Sequence, residues 1–173
     1  MLRNQQGFSV IELMAAVVIL AVTLSVGVPG FSQFIANSQI RSTTESIKNG
    51  LQSARAEAIK RNAQVRFTLF ADSSWRVGCV VVVAVTCPLV IQTKAAREGS
   101  TNKITIATTG SNNIIFTNLG TPAAVAGQLS QVNVDHTSIA ATNSRDLRIT
   151  IGAGGNTRMC DPNVSTTGDA RKC

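Results

Sequence analysis

From Phe8 to Val28 the chain is apolar except at Ser9, Glu12, Thr23 and Ser25. A run of about 21 such residues is long enough to cross a bilayer as a helix. Past Pro29 the pattern becomes periodic. Ile40, Thr44, Ile47, Leu51, Ala54 and Ala58 recur at steps of four and three, which is one face of an amphipathic helix. Arg41, Glu45, Lys48, Arg55 and Arg61 lie mostly off that face. One helix is expected from about Phe8 to about Arg61, roughly 80 Å at about 1.5 Å per residue. Its first half, apolar all round, suits a membrane or a filament core. Its second half has one stripe with which to pack on a domain.

Beyond Asn62 the period changes to two. Alternating or β-branched runs occur at 64–70, 75–85, 89–93, 103–107, 113–117, 131–136 and 146–151, separated by Gly, Asn, Ser, Thr and Pro. These predict about seven short strands and no second long helix. The fold class is therefore α+β, a long N-terminal helix packed on antiparallel sheet. Residues 152–156, GAGGN, read as a turn, because the strand–loop–helix setting of a phosphate-binding loop is missing.

The chain has 173 residues, 44% of them hydrophobic and 14% charged. That accommodates one membrane-length segment and one domain with a single core. The formal charge of +7 comes from 16 Lys+Arg against 9 Asp+Glu. A basic balance suits phosphates or an anionic surface without naming a partner. The four cysteines, Cys79, Cys87, Cys160 and Cys173, lack C-x-x-C spacing, and His136 is the single histidine. Two disulfides formed in an oxidising compartment fit better than a zinc site. The local pairs Cys79–Cys87 and Cys160–Cys173 are favoured, and the other two connectivities stay open.

Glu12 is the residue at odds with its surroundings. A carboxylate on a membrane-length helix costs roughly 2–4 kcal/mol near the bilayer centre. A secretory signal peptide fits poorly, since the run is long, Glu12 interrupts it and no A-x-A-like cleavage site follows. A plain membrane anchor accounts for the length but not for Glu12. The stretch GFSVIEL, Gly7 to Leu13, resembles the processing motif of type IV prepilins: Gly before the cut, Phe after it and Glu at the fifth mature position. The resemblance implies a leader of residues 1–7, an apolar helix half of 8–35 and a head of 36–173. It implies cleavage between Gly7 and Phe8 by a prepilin peptidase on the cytoplasmic side, and N-methylation of Phe8. Arg3 on the leader fits a positive-inside orientation. The chain would then sit in the inner membrane by one span, with a periplasmic head, before entering a surface filament. Glu12 would pair with the amino terminus of Phe8 on a neighbouring subunit and set register, a well-attested use of buried charge. Pro29 falls where the family bends its helix.

The segment LQSARAEAIKRNAQV, Leu51 to Val65, resembles the GspH/FimT/FimU branch of pilin-like proteins, whose long helix ends in a similar Ala-Arg-x-Glu-Ala stretch before a strand. The branch implies a minor pilin that helps initiate or cap a type IV pilus, with other minor pilins and the major pilin as partners. Two other roles exist within it: a DNA receptor for natural transformation, and a minor pseudopilin of a type II secretion system. FimT-like tails carry a Gly-Arg-x-Arg motif. Here Gly168-Asp169-Ala170-Arg171 matches only its first and last positions. Arg158, Arg171 and Lys172 are the candidate contacts to double-stranded DNA, and Asp169 opposes them. No catalytic constellation, cofactor site or metal-ligand spacing is evident. His136 has no nucleophile tied to it, and the aspartates fall in or beside turns.

Overall fold

The computed structural model describes residues 7–96, 98 and 101–173, with the side chains of 26–29 left aside. Arg3 and the side chain of Pro29, to which the resemblance gives roles, lie outside the described residues. Two compact units are present, Met1–Ile35 and Ala36–Cys173. One helix, α1 (Val10–Arg61), contributes to both. It starts two residues later than expected and ends where the periodicity ends.

In the first unit the described side chains of α1 from Val10 to Ser25 are exposed. They carry an 18-residue window of mean hydropathy 2.4, apolar enough for a membrane span. The hydroxyls are satisfied locally. Thr23 donates to the carbonyls of Ile19 and Leu20 at 3.0 and 2.9 Å, and Ser25 donates to Val22 at 2.7 Å. Such back-bonding removes the cost of those groups in an apolar medium.

The second unit is the head. The expected stripe of α1 is its buried face: Ile40, Ile47, Leu51, Ala54 and Ala58 are fully buried, as is Thr44. Against it lie eight antiparallel strands in two four-stranded sheets. They are β1 (Val65–Leu69), β2 (Trp75–Cys79), β3 (Gln92–Lys94), β4 (Ile104–Thr109), β5 (Asn113–Phe116), β6 (Gln131–His136), β7 (Leu147–Ile151) and β8 (Thr157–Cys160). One sheet has the order β3-β2-β1-β5, the other β4-β6-β7-β8. Alternation fixes which side faces the helix: Val65, Phe67 and Leu69 of β1, and Trp75 and Val77 of β2, point inward with Ile114, Phe116, Val132, Val134 and Ile149. The Phe67 and Trp75 rings lie 6.0 Å apart and tilted.

Three strand expectations are corrected. The run 75–85 is a strand only to Cys79. Cys79 N–H donates to the Pro88 carbonyl at 3.0 Å and its sulfur is bonded to Cys87, so residues 80–86 form a closed loop instead of more sheet. The run 89–93 begins pairing only at Gln92, opposite Val77. The eighth strand, β8, lies in the stretch read as polar tail. Its residues are only half apolar, and its pairing with β7, Ile151 opposite Thr157, forms across the GAGGN turn. A second disulfide joins Cys160 to Cys173.

Candidate assembly and processing site

Gly7, Phe8 and Ser9 precede the helix, and all three are exposed. The Ser9 carbonyl accepts the N–H groups of Glu12 and Leu13, each at 3.1 Å, which starts α1. Among the described residues, a Cβ built on Gly7 meets nothing within 4 Å. Glu12 occupies the first turn, where the helix dipole favours an anion. Around it Phe8, Val10, Ile11, Leu13 and Met14 are all exposed. Among the described residues no ion pair reaches Glu12. Between Val10 and Ser25 it is the one ionisable side chain, and the other two polar side chains, Thr23 and Ser25, bond to their own backbone. A carboxylate is costly once its surroundings become apolar unless it is paired or neutralised.

The Leu51–Val65 segment locks the head to the helix end. Ala54 and Ala58 are buried, and their small side chains let the sheet approach. Arg55 Nε donates to the Gly120 carbonyl at 3.0 Å. Gly155 abuts that carbonyl, since a Cβ there would lie 2.0 Å from the oxygen. Arg61 Nε bonds Glu57 at 2.6 Å, and its Nη1 donates to the Thr86 carbonyl, which ties down the 80–86 loop. Burial alone would raise the Glu57 carboxyl. The hydrogen bond and charge of Arg61, with Lys60 alongside, bring it below its ordinary value. Asn118 Nδ2 donates to Asn62 Oδ1 at 2.9 Å, anchoring a second loop at the same end.

His136 is structural. Its Nδ1 accepts the Ser138 N–H at 3.1 Å, so Nε2 carries the proton and donates to Gln39 Oε1 at 3.1 Å. Sequence reading missed this helix–sheet link, because its partners stand 97 positions apart. Asp135 accepts from Ser144 Oγ at 2.6 Å. Among the described residues no group of three His, Cys, Asp or Glu could hold a metal ion. An open cleft beside Trp75 is lined by Ser42, Glu45, Ser46, Asn49 and Gln92. Its carboxylate, Glu45, is paired with Arg41 at 2.9 Å.

The three tail cations engage their own loop. Arg158 Nη2 donates to the carbonyls of Ala170 and Lys172 at 3.0 and 2.7 Å. Lys172 Nζ donates to the Ser165 carbonyl at 3.2 Å. Arg171 Nη2 meets Asp169 Oδ2 at 2.7 Å. The hydrogen bonds from Arg171 hold the Asp169 carboxyl down to about 2. The charges remain exposed, but their donors are partly spent, and the Asp169 carboxylate sits on Arg171.

Two family models match the chain. The prokaryotic N-terminal methylation motif covers residues 2–28, and the type II transport protein GspH model covers residues 43–155. Among solved structures, the type IV minor pilin FimU of Pseudomonas aeruginosa is similar, with 14% identity and a TM-score of 0.55 over 78% of this chain and 97% of that one. The minor pseudopilin EpsH of the Vibrio cholerae type 2 secretion system is similar too, with 9% identity and a TM-score of 0.50 over 73% of this chain and 99% of that one. At these identities the likeness shows the fold, a type IV pilin-like helix and β-sheet head. With the methylation motif at its N-terminal end and the GspH match across its head, the chain belongs to the GspH family of minor pilins and pseudopilins.

Proposed function

We propose that this protein is a minor pilin of a type IV pilus, a structural subunit that helps initiate or cap the filament. Its work is interaction, not catalysis. The observation that carries the reading is Glu12, a lone carboxylate on an exposed apolar helix, four residues beyond an exposed Gly7–Phe8 bond. Prepilin peptidase cuts that bond and Phe8 becomes the methylated amino terminus. The apolar half of α1 holds the chain in the inner membrane until it enters the filament core. There the new amino terminus of a neighbouring pilin meets Glu12. Two opposite charges facing each other in a low-dielectric core fix axial register, because any slip leaves both unpaired.

The test is Glu12→Ala in the full chain. Membrane insertion is expected to persist, and recovery in a sheared filament fraction is expected to fall at least tenfold. Normal recovery contradicts the role. A pseudopilin of type II secretion is the second reading, favoured by the fold shared with EpsH. A deletion strain separates the two: loss of surface pili supports the first, loss of enzyme secretion the second. Double-stranded DNA as a partner draws less support, since Arg158, Arg171 and Lys172 bond within the tail. A strain with intact pili and no DNA uptake would restore that reading.

A further inference from the structure

Strand alternation gives the first sheet two faces. Phe67, Trp75 and Val77 point toward α1, so Arg66 and Thr68 of β1, Arg76 and Gly78 of β2, and Thr93 of β3 point away from it. The register sets these side by side. Thr68 and Thr93 stand directly opposite Arg76 on its two flanks, and Gly78 stands opposite Arg66. Arg66 and Arg76 are therefore diagonal neighbours, about 7–8 Å apart at their origins and within reach of one ligand. Both are exposed, and so is Thr93. Among the described residues neither arginine has a hydrogen bond or an ion pair from its side chain. Elsewhere the protein spends its guanidinium groups: Arg55, Arg61, Arg148 and Arg158 donate within the head, and Arg41 and Arg171 pair with carboxylates. The four strands of this sheet carry no acidic residue. The nearest carboxylate along the chain, Asp72, accepts from the N–H and the hydroxyl of Ser74. Two neighbouring like charges without a counterion weaken a sheet.

Two guanidinium groups, one of them flanked by two threonine hydroxyls, form a row of donors whose acceptor lies outside the chain. A tetrahedral oxyanion matches it, because guanidinium binds phosphate through paired N–H groups. The surroundings select what carries the phosphate. A Cβ on Gly78 would collide with the backbone of Leu89, so the 89–90 segment lies over this same face, beside both arginines. Leu89 and Val90 are 59 and 44% exposed there. Phe70, the next outward position of the chain after Thr68, is 41% exposed. Cations bordered by exposed apolar side chains fit a lipid interface, where headgroups meet the charges and acyl chains cover the rest. Duplex DNA would leave the apolar groups in water, and two cations neutralise few of its phosphates. We infer that Arg66 and Arg76, with Thr68 and Thr93, bind the phosphate headgroup of an anionic phospholipid. The inference rests on one part of the proposed function, the anchoring of the chain in a membrane.

The experiment reconstitutes the full chain, with photo-cross-linking benzoylphenylalanine at Leu89, in vesicles of phosphatidylcholine alone or mixed with phosphatidylglycerol. Control chains carry the probe at the exposed Thr105 of β4, in the other sheet. Adducts of the Leu89 probe with phosphatidylglycerol are expected at several times the Thr105 yield. Arg66→Gln and Arg76→Gln should each lower that yield about fivefold, the worth of one basic residue at an anionic surface. Their melting temperatures should equal or exceed the parent's, since a repulsion is removed. Equal yields at the two probe positions, equal yields in the two kinds of vesicle, or a yield unchanged by either substitution overturns the inference. Retention of duplex DNA that both substitutions abolish, without a lipid adduct, overturns it as well. A chain that floats with neither vesicle overturns the anchoring reading, and this inference with it.

Discussion

A methyl group added to Gly50 would lie 2.8 Å from Cε2 of Phe67 and 2.9 Å from two ring carbons of Trp75. Phe67 is fully buried and Trp75 nearly so, and both rings would have to shift to admit it. Gly50→Ala gains helix propensity of about 1 kcal/mol but overpacks the contact by about 1–3 kcal/mol. A net loss of stability is expected, read as a lowered melting temperature of the full chain; an unchanged or higher value would show that the contact gives way. His136 makes a second prediction. Burial first, and then the charge of Lys103, lower its pKa against the opposing pull of Asp135. The unfolded chain thus takes up the proton at higher pH than the folded one. Stability is complete above the ordinary value of 6.5 and declines as pH falls through it toward the folded value. Melting temperature should drop between about pH 7 and pH 5, and His136→Gln should flatten that segment; a profile unchanged by the substitution would acquit the imidazole. Glu12 was legible in the sequence because a single charge interrupts an apolar run. The Gln39–His136 bond was not, because nothing local distinguishes a glutamine that faces a sheet from one that faces water.

At the scale of elements, the buried stripe of α1 could be read directly: its spacing follows from 3.6 residues per turn, and no long-range contact was needed. Strand ends were harder. Five valines between positions 80 and 85 imitate a strand by composition, but the Cys79–Cys87 bond and the Pro88 carbonyl turn them into a loop. β8 hid for the opposite reason. TRMC has no clear alternation, and what makes it a strand is the row of β7 partners from Arg148 to Ile151. The loop after β2 gives the prediction at this scale. Replacing Cys79 and Cys87 together by Ser removes a closure worth about 2.5 kcal/mol in the chain-entropy model. Faster amide exchange is expected at Val80 to Thr86, with the β1–β2 ladder still protected. Loss of protection across that ladder would mean that the bond supports the sheet as well as the loop.

For the whole molecule, the division into an apolar helix half and a globular head follows the composition: polar residues return at the point where the helix acquires a single stripe. The candidate site divides in the same way. The processing and register roles proposed for residues 7–12 rest on the sequence. The exposure of the loops at the end of α1 is displayed only by the folded head. The tail occupies a middle position, its cations visible in sequence and their engagement by Ala170, Lys172, Ser165 and Asp169 visible only in three dimensions.

The contact of Arg55 with Gly120, against which Gly155 rests, has a bearing on how such heads diverge. The turn after β5 ends one sheet and the turn between β7 and β8 belongs to the other, yet both converge on one guanidinium of the helix. A side chain inserted at Gly155 pushes on the Gly120 turn of the other sheet, whereas one inserted at Gly120 pushes on Ile59 and Arg55 of the helix. The two turns therefore share one anchor on α1. A change at Gly155 has to be accommodated at the Gly120 turn, and loss of the Arg55 guanidinium would release that turn from the helix.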